Sequence, residues 1–146
     1  MQSLQRAFLQ VNTDLNALAD ILSWFDQFSG PPVPDEDWLH CQLVLAEGFT
    51  NAVRHAHRNR PMELLIDIEV IIFTERIEIR LWDYGEPFNL AHRLDQLPSA
   101  FDRDAEGGRG LQLMRKLTDA LSYTRRGNRN CLLITKHYTK DQAKLE

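Results

Sequence analysis

The sequence predicts an α+β domain, a two-layer α/β sandwich in which helices cover one face of a mixed, largely antiparallel sheet. Three observations predict it. Strand-like alternation occurs in one short opening run and in two hairpin-like pairs. Helix-like spacing of apolar residues occurs in three separate segments. Their order is strand, two helices, hairpin, long irregular stretch, helix, hairpin. Consecutive hairpins favour antiparallel pairing, and amphipathic helices beside a sheet must bury their apolar stripes against one of its faces.

The elements follow in order. Ala7 to Val11 alternates as a short strand. Asn12 and Thr13 offer capping oxygens, and Asp14 suits the first turn of a helix over about residues 14–28. Its apolar stripe is Leu15, Leu18, Ile21, Leu22 and Phe25, and Ser29-Gly30-Pro31-Pro32 ends it, because proline cannot continue the hydrogen-bond ladder. The acidic run Asp35-Glu36-Asp37 favours the positive end of a second helix. That helix buries Trp38, Cys41, Leu45, Phe49, Ala52 and Ala56 and runs to about His57. Leu64, Ile66, Ile68, Val70 and Ile72 alternate at period two, as do Ile77, Ile79 and Leu81, so the two runs form a hairpin ending at Asp83. Tyr84 to Gly107 lacks periodicity; a loop of that length in a compact domain points to function. Leu111, Met114, Leu117 and Leu121 then mark a third helix, and Ala120–Arg125 and Cys131–Tyr138 a last hairpin around Gly127-Asn128.

The composition fits a single soluble globular domain. The chain has 146 residues, 43% hydrophobic and 26% charged, with a net charge of −4. An acidic balance argues against a general nucleic-acid binder. No apolar run reaches the length of about 20 residues that spans a bilayer. The first ten residues carry no secretory-signal pattern. Cys41 and Cys131 form neither a disulfide framework nor a Cys-x-x-Cys metal site, so a reduced, cytoplasmic setting is expected.

Three segments carry candidate chemistry. Glu47, Asn51 and His55 stand at i, i+4 and i+8 on the second helix. There an amide oxygen can ligate Mg²⁺ and a carboxylate can orient or deprotonate a nucleophile; the same spacing also occurs on plain solvated helix faces. Asp83-Tyr84-Gly85-Glu86-Pro87-Phe88 follows a strand directly. A carboxylate at that end can accept from an exocyclic amine such as adenine's, and Gly85 lets a ring approach the backbone; the same residues also make ordinary capped turns. Gly107-Gly108-Arg109-Gly110-Leu111 opens the third helix. Clustered backbone N–H groups and the helix dipole favour phosphate there, although the glycine spacing is neither that of a Walker loop nor that of a Rossmann loop.

In this order and spacing the segments resemble those of the GHKL superfamily and its Bergerat ATP-binding fold, over about residues 12–138. Glu47-x-x-x-Asn51 resembles the N box, Asp83-x-Gly85-x-Pro87-Phe88 the first glycine box and Gly108-x-Gly110-Leu111 the second. Asn51-Ala52-x-x-His55-Ala56 and Pro87-Phe88 look most like the anti-sigma-factor serine/threonine kinases of the RsbW type. The resemblance implies ATP and Mg²⁺ as cofactors. Glu47 is then the catalytic base and Asn51 the Mg²⁺ ligand. Asp83 and Gly85 form the adenine pocket, Gly108, Arg109, Gly110 and Leu111 present phosphate-binding amides, and residues 86–107 form an ATP lid. It further implies a homodimer that phosphorylates a STAS-domain antagonist and exchanges it for a sigma factor. A nucleotide-binding module without transfer, or a detached histidine-kinase catalytic domain, would carry the same motifs. Pro87 departs from the broader Asp-x-Gly-x-Gly pattern. The segment Arg129-Asn130-Cys131-Leu132 lacks the Gly-Thr pair that often stands near adenine.

Overall fold

A computed structural model describes residues 3–87 and 109–138. Within them a five-stranded sheet has the order β1-β2-β3-β5-β4. The strands are β1 (Gln5–Asn12), β2 (Leu65–Ile72), β3 (Arg76–Asp83), β4 (Ala120–Arg126) and β5 (Arg129–His137). All four strand pairings are antiparallel, so the parallel component that a mixed sheet would need is absent among the described residues. Among the described residues three α-helices accompany the sheet: α1 (Leu18–Asp26), α2 (Asp35–Asn51) and α3 (Arg109–Leu117). None of the described helices is long and apolar enough to cross a membrane.

Alternation dictates which way each strand faces. Ile66, Ile68, Val70 and Ile72 of β2, Ile77, Ile79 and Leu81 of β3, and Leu132 and Ile134 of β5 are buried. They form one core with Ile21, Phe25, Val44, Leu45 and Phe49 from the helices. Phe25 stacks on Trp38 with ring centroids 4.1 Å apart. Asp26 ties the same two helices together by accepting from the Trp38 indole (3.2 Å) and the Gln42 amide (3.0 Å). On the opposite sheet face, Glu69, Glu78 and Asp67 pair with Arg6, Arg76, Arg80 and Arg129.

The first helix differs from its sequence expectation. Asp14 is a cap, accepting from the Asn16 N–H at 2.9 Å, and a short 3-10 turn (Leu15–Ala17) precedes α1. Thr13 does not cap; its hydroxyl is committed elsewhere, as shown below. At the second helix the acidic first turn does more than offset a dipole. Asp37 is fully buried, with the Lys136 ammonium at 3.8 Å, and Lys136 also donates to the Leu117 carbonyl at 2.8 Å. One lysine thus joins the start of α2, the end of α3 and β5.

The second helix also ends differently. After Asn51 the chain widens into a π-turn (Ala52–Ala56), closed by the His57 N–H donating to the Ala52 carbonyl at 2.8 Å. An extra residue in this turn shifts His55 off the straight i, i+4, i+8 line. Such turns recur at functional sites, and this one lies against the end of β3.

Candidate functional site

Gly85 shows why the π-turn and the β3 end can meet. A Cβ built on Gly85 would sit 2.8 Å from the Ala56 carbonyl oxygen, 2.9 Å from its Cβ and 3.0 Å from its Cα. Only a residue without a side chain allows this approach. The contact brings the N-box helix and the first glycine segment together.

Asp83 is buried at the same junction. Its Oδ1 accepts from the Gly85 N–H at 2.8 Å and from the Asn130 side-chain amide at 2.9 Å. Its Oδ2 accepts from the Tyr123 hydroxyl at 2.5 Å. The Asn130 amide also reaches the carbonyls of Gly85 (3.0 Å) and Glu86 (3.2 Å). Arg125 donates to the Gly85 carbonyl at 2.6 Å and to the Asn130 side-chain oxygen at 3.2 Å. The β4–β5 hairpin therefore builds the far wall of the Asp83 site with Asn130, Tyr123 and Arg125, and no Gly-Thr pair is needed. Burial, then the hydrogen bond to Asp83, push the Tyr123 hydroxyl well above the ordinary tyrosine range, so it stays a donor.

The third motif reaches the first. A Cβ on Gly110 would fall 2.5 Å from Glu47 Oε2 and 3.7 Å from Asn51 Nδ2. The start of α3 is thus set against the two N-box side chains, and a larger residue there would have to displace the Glu47 carboxylate. Leu111 and Met114 bury the other side of α3 in the core. Gly108 and residues 88–107, the proposed lid apart from its first two residues, lie outside the described residues, as does the side chain of Arg109.

A cavity of about 640 Å³ opens among these elements. Asn51, His55 and Ala56 line it from the end of α2, Leu81 and Asp83 from β3, Leu111 and Met114 from α3, and Tyr123 and Leu132 from the last hairpin. Arg58 and Arg60 stand at its rim, with Arg60 3.6 Å from the exposed Glu86 carboxylate. The space is apolar in its walls and polar at a few points, the usual form of a small-molecule site. Among the described residues no group of three or more His, Cys, Asp or Glu side chains could hold a metal ion. Hard oxygen donors are present at Glu47 and Asn51. Such a set suits Mg²⁺, which takes one or two protein oxygens and leaves the rest to water and substrate phosphates.

His57 is a structural histidine. It is buried. Its Nδ1 lies 2.7 Å from the Thr13 hydroxyl, which donates to the Leu64 carbonyl at 2.6 Å. Its Nε2 accepts from the Tyr84 N–H at 2.8 Å. Those partners require a neutral ring with the proton on Nδ1. Burial lowers its pKa, Asp83 pulls the other way and Arg60 adds to the lowering. This relay joins the end of β1, the π-turn and the residue after Asp83. Local spacing contains no signal for it, nor for Tyr123 and Asn130, which lie 40 and 47 residues from Asp83.

A five-stranded antiparallel sheet with helices on one face, and a cavity between the N-box helix and the ends of β3 and β5, belongs to the class of histidine kinase-like ATPase domains. The profile of that family, described as "Histidine kinase-like ATPase domain", matches residues 11–136, and the chain belongs to it. Within it, the chain is similar to the serine-protein kinase RsbW of Staphylococcus epidermidis, 28% identical over 122 residues that cover 80% of this chain and 76% of that one. The RsbW of Listeria monocytogenes is 32% identical over 83 residues, covering 53% of this chain and 52% of the relative. The solved RsbU and RsbW domains of a Mycobacterium tuberculosis protein share the fold with a TM-score of 0.66 at 11% identity. This chain is covered over 94% of its length there and spans about a third (33%) of that chain. The catalytic domain of the histidine kinase ThkA superposes with a TM-score of 0.54 at 16% identity, over 91% of this chain and 97% of that one.

Proposed function

We propose that the chain is an ATP-dependent serine/threonine protein kinase of the anti-sigma-factor type. One observation carries the reading: Gly110 brings the start of α3 to within contact of Glu47 and Asn51, while Asn51 and Asp83 line one cavity. A purine and a triphosphate can then be held at opposite ends of one space. The similarity to RsbW proteins adds the class of acceptor, a protein serine or threonine.

In this reading Asp83 accepts from adenine's amine, and Gly85 leaves room for the ring. The amides of Gly108, Arg109, Gly110 and Leu111 receive the phosphates at the positive end of α3. Asn51 would hold Mg²⁺, which would supply positive charge against the phosphates there. Glu47 takes the proton from the attacking hydroxyl as that oxygen bonds to the γ-phosphorus and the bond to the departing ADP oxygen breaks. The apolar stretches of the cavity wall lower the local dielectric, which strengthens these polar contacts. The partners would be a STAS-domain antagonist as substrate and a sigma factor as its competitor, with the chain acting as a cytoplasmic homodimer. Phosphate added to the antagonist brings negative charge that can eject it, and binding of either partner then follows mass action.

The test is co-purification from the native cell with Mg-ATP, followed by radiolabelled transfer to the companion recovered. Acid-stable label on serine or threonine, lost in Glu47→Ala with ATP binding retained, is the expected result. Acid-labile label would point to a histidine acceptor. ATP binding without any transfer would leave a nucleotide-gated binding module.

A further inference from the structure

We propose that Asn130 makes the cavity choose adenine over guanine, by filling, together with the Gly85 N–H, the Oδ1 side of the Asp83 carboxylate. The inference rests on the nucleotide-binding reading above and adds the source of its base selectivity. A carboxylate is not by itself an adenine reader. Guanine presents two parallel donors, its ring N1–H and its 2-amino group, and a carboxylate with both oxygens open accepts them as a fork. Adenine presents one donor, its 6-amino group, beside a ring acceptor. An open aspartate would therefore favour the wrong purine.

Asp83 is not open. An ionised carboxylate has about four lone-pair positions. On Oδ1, the Gly85 N–H and the Asn130 amide take both. On Oδ2, the Tyr123 hydroxyl takes one at 2.5 Å. A single acceptor position remains, on Oδ2, and a fork needs one on each oxygen. Guanine would bury its second donor without a partner, which is costly, whereas adenine's amine finds its acceptor.

Neither blocking group can swing aside at no cost. The Asn130 amide is also held by the carbonyls of Gly85 and Glu86, and its oxygen by Arg125. Tyr123 is half-buried on β4, its side chain lining the cavity between Asp83 and Leu132. The Gly85 N–H is backbone, locked by the contact of Gly85 with Ala56. Removing Asn130 therefore opens Oδ1 beside the open position on Oδ2, and a second donor on the purine gains a place; removing Tyr123 opens Oδ2 alone.

Binding of Mg-ATP and Mg-GTP to the full chain, by titration calorimetry, tests this with Asn130→Ala, Asn130→Ser and, for comparison, Tyr123→Phe. Wild type should prefer ATP. Each Asn130 change should narrow the ATP/GTP affinity ratio by about tenfold, the weight of one hydrogen bond, with the gain on the GTP side, whereas Tyr123→Phe should leave the ratio unchanged because Oδ1 stays filled. Asn130→Ser removes the amide and keeps a polar side chain, so it carries the test even if Asn130→Ala does not fold. Equal weakening of both nucleotides in the Asn130 variants, with the ratio unchanged, would mean that Asn130 only supports the wall and would overturn the proposal. Wild type that binds neither nucleotide would instead refute the nucleotide-binding reading itself.

Discussion

Replacing Gly85 by alanine should damage both stability and the candidate site, and the structure indicates how much. The new Cβ would meet the Ala56 carbonyl oxygen at 2.8 Å, its Cβ at 2.9 Å and its Cα at 3.0 Å. Two of those atoms are backbone, inside a π-turn closed by the His57 N–H, so the turn cannot yield as a flexible side chain would. Overpacking of this kind costs about 1–3 kcal/mol. At about 2 kcal/mol a domain of this size loses about 4–8 °C in Tm. Relief must come from moving the Gly85 segment outward. That movement strains its N–H bond to Asp83 (2.8 Å) and the bonds its carbonyl accepts from Arg125 (2.6 Å) and Asn130 (3.0 Å). Losing one such bond would weaken ATP binding about tenfold. Differential scanning calorimetry and ATP titration on the same preparation check both effects. Wild-type Tm with wild-type ATP affinity would show that the turn and the strand end do not meet as described.

Gly110→Ala should behave in the opposite way. Its Cβ would press on Glu47 Oε2 at 2.5 Å, the movable end of a side chain, so Tm should change by less than about 1 kcal/mol would shift it. Phosphoryl transfer should fall by at least about tenfold as the carboxylate is displaced, and intact transfer in a radiolabel assay would remove Glu47 from the role proposed for it. His57 predicts an acid-sensitive fold. Its ring is neutral in the folded chain and its pKa lies below the ordinary 6.5, so the unfolded chain binds the extra proton first. Stability is therefore complete above about pH 6.5 and declines as pH falls from there toward the folded-state value. Urea unfolding at pH 7.5 and pH 5.5 should show this decline reduced in His57→Gln, and an equal decline in both proteins would assign it to other groups.

Much of the fold was legible because it rests on local periodicity. Strand β3 alternates over its whole length and β2 as far as Val70, and both hairpins fall within a few residues of their expected places. The start of α2 was legible from its acidic turn, but the role of Asp37 was not: its pairing with Lys136 spans the whole domain. Asp14 took the cap expected of Thr13 for a similar reason. Either can cap a helix locally, and the choice was made by His57, which needs a hydroxyl oxygen for its buried Nδ1 proton. The π-turn left no sequence signal, since it follows from fitting Ala56 against Gly85.

By itself the sequence determined the α+β layers, the three chemical segments and the types of group each could offer, since all of these depend on residues at most a few positions apart. Tertiary structure alone decided that Gly110 would face Glu47 and that Asn130 and Tyr123 would occupy the Asp83 carboxylate. It also decided that a neutral histidine would join β1 to the site. The reason is physical: a buried polar group must find a partner wherever the packed chain places one, and for His57 and Asp83 the partners Thr13, Tyr123 and Asn130 lie 40 or more residues away.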